Sequence, residues 1–200
     1  MISKTASTIF KKSIKEYHIL DDVNQPFINP YKLQSLENIL FRKGWIDTVQ
    51  WHYEDLIRDP KIHEKKALLL KRKIDASNQD RTETVEGIDN YFLKYFKNIK
   101  LKSNARINTE SPAWAIDRLS ILELKIYHMR EETNREDTSS AHQKKCKYKL
   151  EVLIEQNKDL CSSVDQLLED ISNGLNFMKV YKQMKMYNDE NLNPILYRSK

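Results

Sequence analysis

At 200 residues the chain is long enough for one well-buried core, so the sequence predicts a single domain over residues 1–200. Its net charge of +5 comes from 34 basic and 29 acidic residues mixed along the chain, which favours solvated helix faces over a nucleic-acid surface. The longest aliphatic run, residues 67–70, is far shorter than the roughly 20 residues of a membrane span. Lysines interrupt the apolar residues of the N-terminus, which argues against a signal peptide, so we expect a cytoplasmic protein.

The scarcity of glycine and proline predicts an all-α fold. With three Gly and five Pro, the chain has few places to turn. The first half is predicted to form a helix over residues 5–17, a helix opened by Asn29 and Pro30 and ended or bent at Gly44, and helices over residues 45–58 and 62–97. The last of these is the clearest, because its apolar residues fall within one arc at 3.6 residues per turn.

The second half is predicted to contain the central helix of the bundle. A polar loop over residues 98–110 is followed by Ser111 and Pro112, an N-cap and first-turn pair that opens a helix over residues 112–132. That helix is apolar on two sides, as expected of a central helix. A further helix ends at Gly174, and its heptad pattern predicts packing against residues 62–97.

The complete prediction is an all-α single-domain bundle of six or seven helices, two of them long and antiparallel. A last helix is expected after Gly174, with Leu175 and Met184 facing inward, and residues 195–197 could dock on the body. Cys146 and Cys161 fall on one helix about 22 Å apart, so they are expected to be free thiols. No local zinc-binding spacing is present in the sequence.

Charged residues occupy positions where a plain bundle would carry apolar ones. Arg81 and Asn78 lie inside the apolar arc of residues 62–97, and a buried arginine requires a carboxylate or phosphate partner. Two interpretations follow: an internal ion pair that fixes helix register, or a site for an anionic ligand. Glu86 and Asp89 project from the shoulder of the same arc and are candidate magnesium ligands.

Two further elements contribute candidate site residues. Asp117 and His128 share the second apolar side of residues 112–132, so His128, oriented by Asp117 or another carboxylate, is the candidate general acid or base. The alternatives are a satisfied core histidine and an ordinary helix-start carboxylate. Glu54 and Arg58, four residues apart, form either an exposed intrahelical pair or part of the same inward site.

Four long sequence phrases resemble a known bacterial family. They are WIDTVQWHYEDLIRDP at residues 45–60, KRKIDASNQDRTETVEGIDNYF at 71–92, WAIDRLSILELKIYHMRE at 114–131 and VYKQMKMYND at 180–189. The phrases are similar to those of the domain of unknown function 4254 family, found chiefly in Bacteroidetes. The resemblance implies a genomic context of glycosyltransferases for surface polysaccharide synthesis, and it supplies no activity.

The sequence therefore supports two functional hypotheses. In the first, eight side chains converge on a pocket for a phosphorylated sugar or nucleotide: Glu54, Arg58, Asn78, Arg81, Glu86, Asp89, Asp117 and His128. Glu86 and Asp89 could hold magnesium there, and ester hydrolysis is the expected chemistry if the protein is an enzyme. In the second, the chain is a non-catalytic helical adaptor that docks on a glycosyltransferase or on itself.

Overall fold

The computed structural model describes residues 1–184, 186 and 189–198, and these residues form six α-helices. The helices are α1 (Ile2–Tyr17), α2 (Leu36–Ile57), α3 (Glu64–Tyr95), α4 (Pro112–Asn134), α5 (Ser140–Ser172) and α6 (Pro194–Arg198). Within the described residues there is no strand, only an isolated bridge between Arg106 and Asn176. The predicted all-α bundle is confirmed.

Helix α4 lies at the centre of the bundle, as its two apolar sides predicted. It packs against α1, α2, α3 and α5. Leu119 is fully buried and Leu124 nearly so, although the two side chains project from different sides of the helix. No helix in the described part of the chain has the length and hydropathy needed to cross a bilayer.

The predicted packing of the two longest helices against each other is wrong. Helix α3 packs along α2 and α5 packs along α4, while α3 and α5 make no close backbone approach in the described residues. Each pair is joined by a short connection, residues 58–63 or 135–139, which favours packing between helices that are consecutive in the chain. A heptad pattern indicates an apolar stripe but does not identify its partner.

The predicted helix boundaries at Asn29 and Gly44 are also wrong, because α2 is one continuous helix. It begins after Ser35, whose hydroxyl accepts a hydrogen bond from the Asn38 amide at 3.1 Å. Gly44 lies inside the helix where α1 crosses it, and a Cβ at this position would lie 3.1 Å from Ser13 Cβ. Gly44 therefore permits close approach between two helices and does not end one.

The helix predicted after Gly174 is absent, since residues 175–184 are irregular. Residues 195–197 form part of α6, none of whose residues is buried, so the predicted docking of this tail is wrong as well. The segment after α5 instead holds the loop over residues 98–110: the Lys102 amide donates to Gly174 O at 2.9 Å and the Arg106 amide to Leu175 O at 2.8 Å. Gly174 has φ +69°, which glycine adopts without strain, and it ends α5 as predicted.

Candidate functional site

Four charged side chains from three helices meet in the interior between α2, α3 and α4. Lys43 and Asp47 come from α2, Arg81 from α3 and Asp117 from α4. Arg81 donates to Asp117 through Nε at 3.0 Å and through Nη2 at 2.5 Å. Lys43 Nζ contacts Asp47 and lies 3.0 Å from Asp117 Oδ1. Ser120 Oγ donates to Asp47 Oδ2 at 2.5 Å.

This ion cluster is electrically neutral and mostly dry. The exposed fractions of the side chains are 0% for Lys43, 1% for Asp47, 5% for Asp117 and 29% for Arg81. Two cations balance two carboxylates, as required for charges held away from water. Arg81 is the one member of the four with substantial exposure, so it forms the open side of the cluster.

A cavity of about 300 Å³ opens over that side of the ion cluster. Arg81 and Asp47 line its base, and Trp51 and Ile121 provide apolar wall. Its full lining is Asp47, Gln50, Trp51, Glu54, Asp55, Arg58, Arg81 and Ile121. The cavity thus combines a few charged groups with an aromatic wall, the usual composition of a small-molecule site.

The charges of the lining do not form a simple anion site. Three carboxylates (Asp47, Glu54 and Asp55) face two guanidinium groups (Arg58 and Arg81), a net charge of one negative. Asp47 Oδ1 is buried and accepts no hydrogen bond from the described residues, and Arg81 Nε is 3.4 Å away. Burial raises the pKa of Asp47, an effect that the Lys43 ammonium opposes.

Most of the predicted ligand-binding residues lie at this cavity. Arg81 and Asp117 form the predicted internal ion pair, and Arg81 also faces the cavity. Glu54 and Arg58 line it as an intrahelical pair, with Arg58 Nη1 2.7 Å from Glu54 Oε2. Asn78 lies just behind the lining, where its Oδ1 accepts a hydrogen bond at 2.8 Å from Gln50 Nε2.

The two predicted magnesium ligands lie elsewhere on α3. Neither Glu86 nor Asp89 lines the cavity. Asp89 is buried and accepts a hydrogen bond at 2.8 Å from the hydroxyl of Ser111, the N-cap residue of α4, so its carboxylate lies at the N-terminus of that helix. Burial raises the pKa of Asp89, an effect that the hydrogen bond from Ser111 opposes.

His128 and Asp117 do not contact each other. The carboxylate of Asp117 is bound by Arg81 and Lys43, while His128 Nδ1 lies 2.9 Å from Glu131 Oε2. The His128 ring stacks on Trp51 with a centroid distance of 4.8 Å. His128 therefore lies behind the aromatic wall of the cavity and not at its base.

Sequence reasoning missed Lys43, Asp47 and Ser120. The available signal was the spacing of Leu36, Leu40, Lys43 and Asp47, which places all four on the inward face of one continuous helix. Because a helix boundary was predicted at Gly44, Lys43 and Asp47 were assigned to two different helices, and their common face was not recognised.

Two groups of side chains among the described residues have the ligand types and spacing for a metal ion. One is His18, His52 and His128, and the other is Glu132, His142 and Cys146. Both cysteines of the chain are free, as predicted.

The model of one protein family matches most of the chain. It is described as Protein of unknown function (DUF4254), and the match covers residues 37–180. The match includes all four members of the ion cluster and the whole lining of the cavity. Searches of the curated proteins and of the solved structures gave no significant match.

Proposed function

Since the chain belongs to the DUF4254 family, whose function is unknown, we propose its function from the cavity: the protein binds a phosphorylated small molecule, a nucleotide or a sugar phosphate, as its magnesium complex. The observation that carries the proposal is Arg81, which its two hydrogen bonds to Asp117 hold at the base of a cavity while 29% of its side chain stays exposed.

The phosphate is assigned to the two arginines. Nε and Nη2 of Arg81 are taken by Asp117, and no hydrogen bond within the described residues uses Nη1. A guanidinium already fixed by a carboxylate loses little freedom when it binds a phosphate oxygen. Arg58 lines the same cavity and can exchange its exposed bond with Glu54 for a second phosphate contact.

The magnesium ion is assigned to the carboxylates of the lining. A bare phosphate would meet a net negative lining, whereas a magnesium complex brings the positive charge that the lining lacks. Magnesium prefers carboxylate and phosphate oxygens and keeps several waters. Glu54 and Asp55 supply such oxygens, so these two residues take the place of Glu86 and Asp89 as the proposed magnesium ligands.

Hydrolysis of a phosphate ester is the reaction that this arrangement would support. Water would add to phosphorus as the ester P–O bond breaks, and a lining carboxylate would take the proton of the water and pass it to the ester oxygen, which would leave as the alcohol. Magnesium held by the lining would neutralise charge on the phosphate oxygens. Asp47 is the strongest candidate base, because its Oδ1 has no donor and burial raises its pKa. His128, which stands behind Trp51, has no part in this proposal.

The competing function is a non-catalytic adaptor for a glycosyltransferase or a second copy of the chain. In an adaptor, the buried charges would serve only to fix the register of neighbouring helices, so we would expect closed ion pairs without a cavity. The cavity over Arg81 favours the ligand-binding function.

We propose a cytoplasmic location on the basis of the two free cysteines and the lack of a membrane-spanning helix among the described residues.

Thermal denaturation with and without ligand tests the proposal. The probes are ADP, UDP and glucose 1-phosphate, each with and without MgCl₂, and binding at 100 times Kd stabilises the fold by about 2.7 kcal/mol. We expect a rise in Tm that requires both the phosphate compound and magnesium. Release of phosphate from the same probes then tests hydrolysis.

Arg58→Gln provides the specific variant and Arg118→Gln its matched control. Both arginines are 67% exposed and each is paired with a glutamate, but only Arg58 lines the cavity. The rise in Tm should disappear in Arg58→Gln and persist in Arg118→Gln. If no probe stabilises the wild type, or if both variants respond equally, the proposed function is wrong.

A further inference from the structure

Three histidines that are distant in the sequence meet at one place behind the cavity wall. His18 is the C-cap of α1, His52 belongs to α2 and His128 to α4. One ring nitrogen from each lies within 4.8 Å of the others. We infer that these three imidazoles are the ligands of a zinc-class divalent metal ion, at a site separate from the magnesium site proposed above.

The distances fit such an ion. Zinc binds imidazole nitrogen at about 2.0–2.1 Å in tetrahedral geometry, which puts two ligand nitrogens about 3.3 Å apart. Nε2 of His18 and Nε2 of His52 are 3.2 Å apart. The remaining separations are no greater than 4.8 Å, so closure around the ion requires shifts of about 1.5 Å or less.

Hydrogen bonds on the other ring nitrogens point the ligand atoms inward. His18 Nδ1 donates to Ile14 O at 2.7 Å, and His128 Nδ1 lies 2.9 Å from Glu131 Oε2. Backbone carbonyls and carboxylates are the usual outer partners of metal-binding histidines, because they fix the ring and leave Nε2 unprotonated. In the described structure, Nε2 of His128 is buried and has no hydrogen-bond partner.

Metal binding requires the proton of His52 to move from one ring nitrogen to the other. Because His18 carries its proton on Nδ1, the bond between the two Nε2 atoms is donated by His52. In the metal-bound form, His52 carries its proton on Nδ1, and all three Nε2 lone pairs face the ion. Neutral imidazole is the binding form. Burial lowers the pKa of His52 and of His128 and so favours that form.

Aromatic rings enclose the site on several sides. Tyr17 stacks on His52 at 5.0 Å, the centroids of Tyr127 and His18 are 4.3 Å apart, and Trp51 covers His128. An apolar enclosure holds the ligands in place and limits water, which strengthens binding of a cation by a preformed site.

Asp21 supplies the fourth ligand in this assignment. Its Oδ1 lies 3.6 Å from His52 Nε2, and 58% of the side chain is exposed. Asp21 is outside the group whose ligand atoms lie within 4.8 Å of one another, so its carboxylate must rotate toward the ion to complete the tetrahedron. Three imidazoles and one carboxylate suit zinc or cobalt and not magnesium, which prefers oxygen ligands and octahedral geometry.

Metal titration of the whole chain tests the inference. Chelator-treated protein is titrated with ZnCl₂ in competition with a chromophoric chelator and, in parallel, with CoCl₂, whose visible absorption is intense in tetrahedral geometry. We expect one equivalent of either ion to bind. His52→Gln and His128→Gln should each lose that equivalent, with the fold checked by circular dichroism.

Two further variants test an outer partner of the site and the second candidate group. Glu131→Gln leaves every ligand in place and should weaken zinc binding about 10- to 100-fold, the usual effect of an outer partner. His142→Gln, in the second candidate group, should bind zinc as the wild type does. If the wild type binds no stoichiometric zinc, or if only His142→Gln loses it, the inference is overturned. Since no phosphate compound is used, neither result bears on the magnesium site.

Discussion

Removing the ammonium of Lys43 should destabilise the fold far more than removing any exposed cation. The ammonium is completely buried and contacts Asp47 and Asp117, which are almost as dry. Lys43→Met keeps most of the stem volume but leaves two carboxylates facing the single charge of Arg81. Breaking a buried pair in this way costs about 3–5 kcal/mol. For a chain of this length, that corresponds to a fall in Tm of roughly 6–20 °C.

A second substitution separates the charge effect from packing. In Lys43→Met with Asp47→Asn, the remaining Arg81 and Asp117 are balanced, and the amide oxygen can still accept from Ser120. We expect the double variant to recover at least half of the lost free energy of unfolding, because removing both partners of a buried pair is nearly neutral.

Urea denaturation at pH 7, followed by far-UV circular dichroism, measures these free energies. Arg42→Met is the matched control, since Arg42 is the adjacent residue on the same helix and is exposed. It should change the free energy of unfolding by no more than about 0.5 kcal/mol. A Lys43→Met variant within about 1 kcal/mol of the wild type, or a double variant as unstable as the sum of its singles, would refute the electrostatic argument.

Three substitutions test the backbone of the fold in the same denaturation assay. Gly44→Ala should lower the free energy of unfolding by about 1–3 kcal/mol, because the added Cβ would lie 3.1 Å from Ser13 Cβ. Gly87→Ala should raise the free energy of unfolding by about 0.5–1 kcal/mol, because the nearest atom to the added Cβ belongs to Ile39 and is 3.9 Å away. Equal effects at the two glycines would contradict the close crossing of α1 and α2. Ser35→Ala removes the N-cap of α2 and should cost about 1 kcal/mol, and no measurable loss would show that the cap bond is not formed in solution.

Much of the helical structure is a local property of the sequence. The apolar arc of α3 was readable at 3.6 residues per turn, and Pro112 and Gly174 marked the start of α4 and the end of α5. The same periodicity placed Arg81 and Asp117 on inward faces, where they are indeed paired. These features were predictable because each depends on residues within a few turns of one another.

The failed predictions concern relations between segments. Gly44 could not be recognised as a contact glycine before α1 was known to cross it, and the residues after Gly174 were amphipathic enough to suggest a helix. Helix propensity is a weak guide to the conformation of the residues after Gly174, because their backbone hydrogen bonds to residues 102–106 decide it.

By itself, the sequence determined the helical class, the central position of α4 and the inward direction of individual charged residues. Only the tertiary structure decided that α3 pairs with α2, that Lys43 and Asp47 complete the ion cluster, and that His18, His52 and His128 meet. The physical reason is the distance along the chain over which each kind of interaction acts. Periodicity and capping act within a helix, whereas the partners of a buried charge or a ligand nitrogen are set by how distant helices pack.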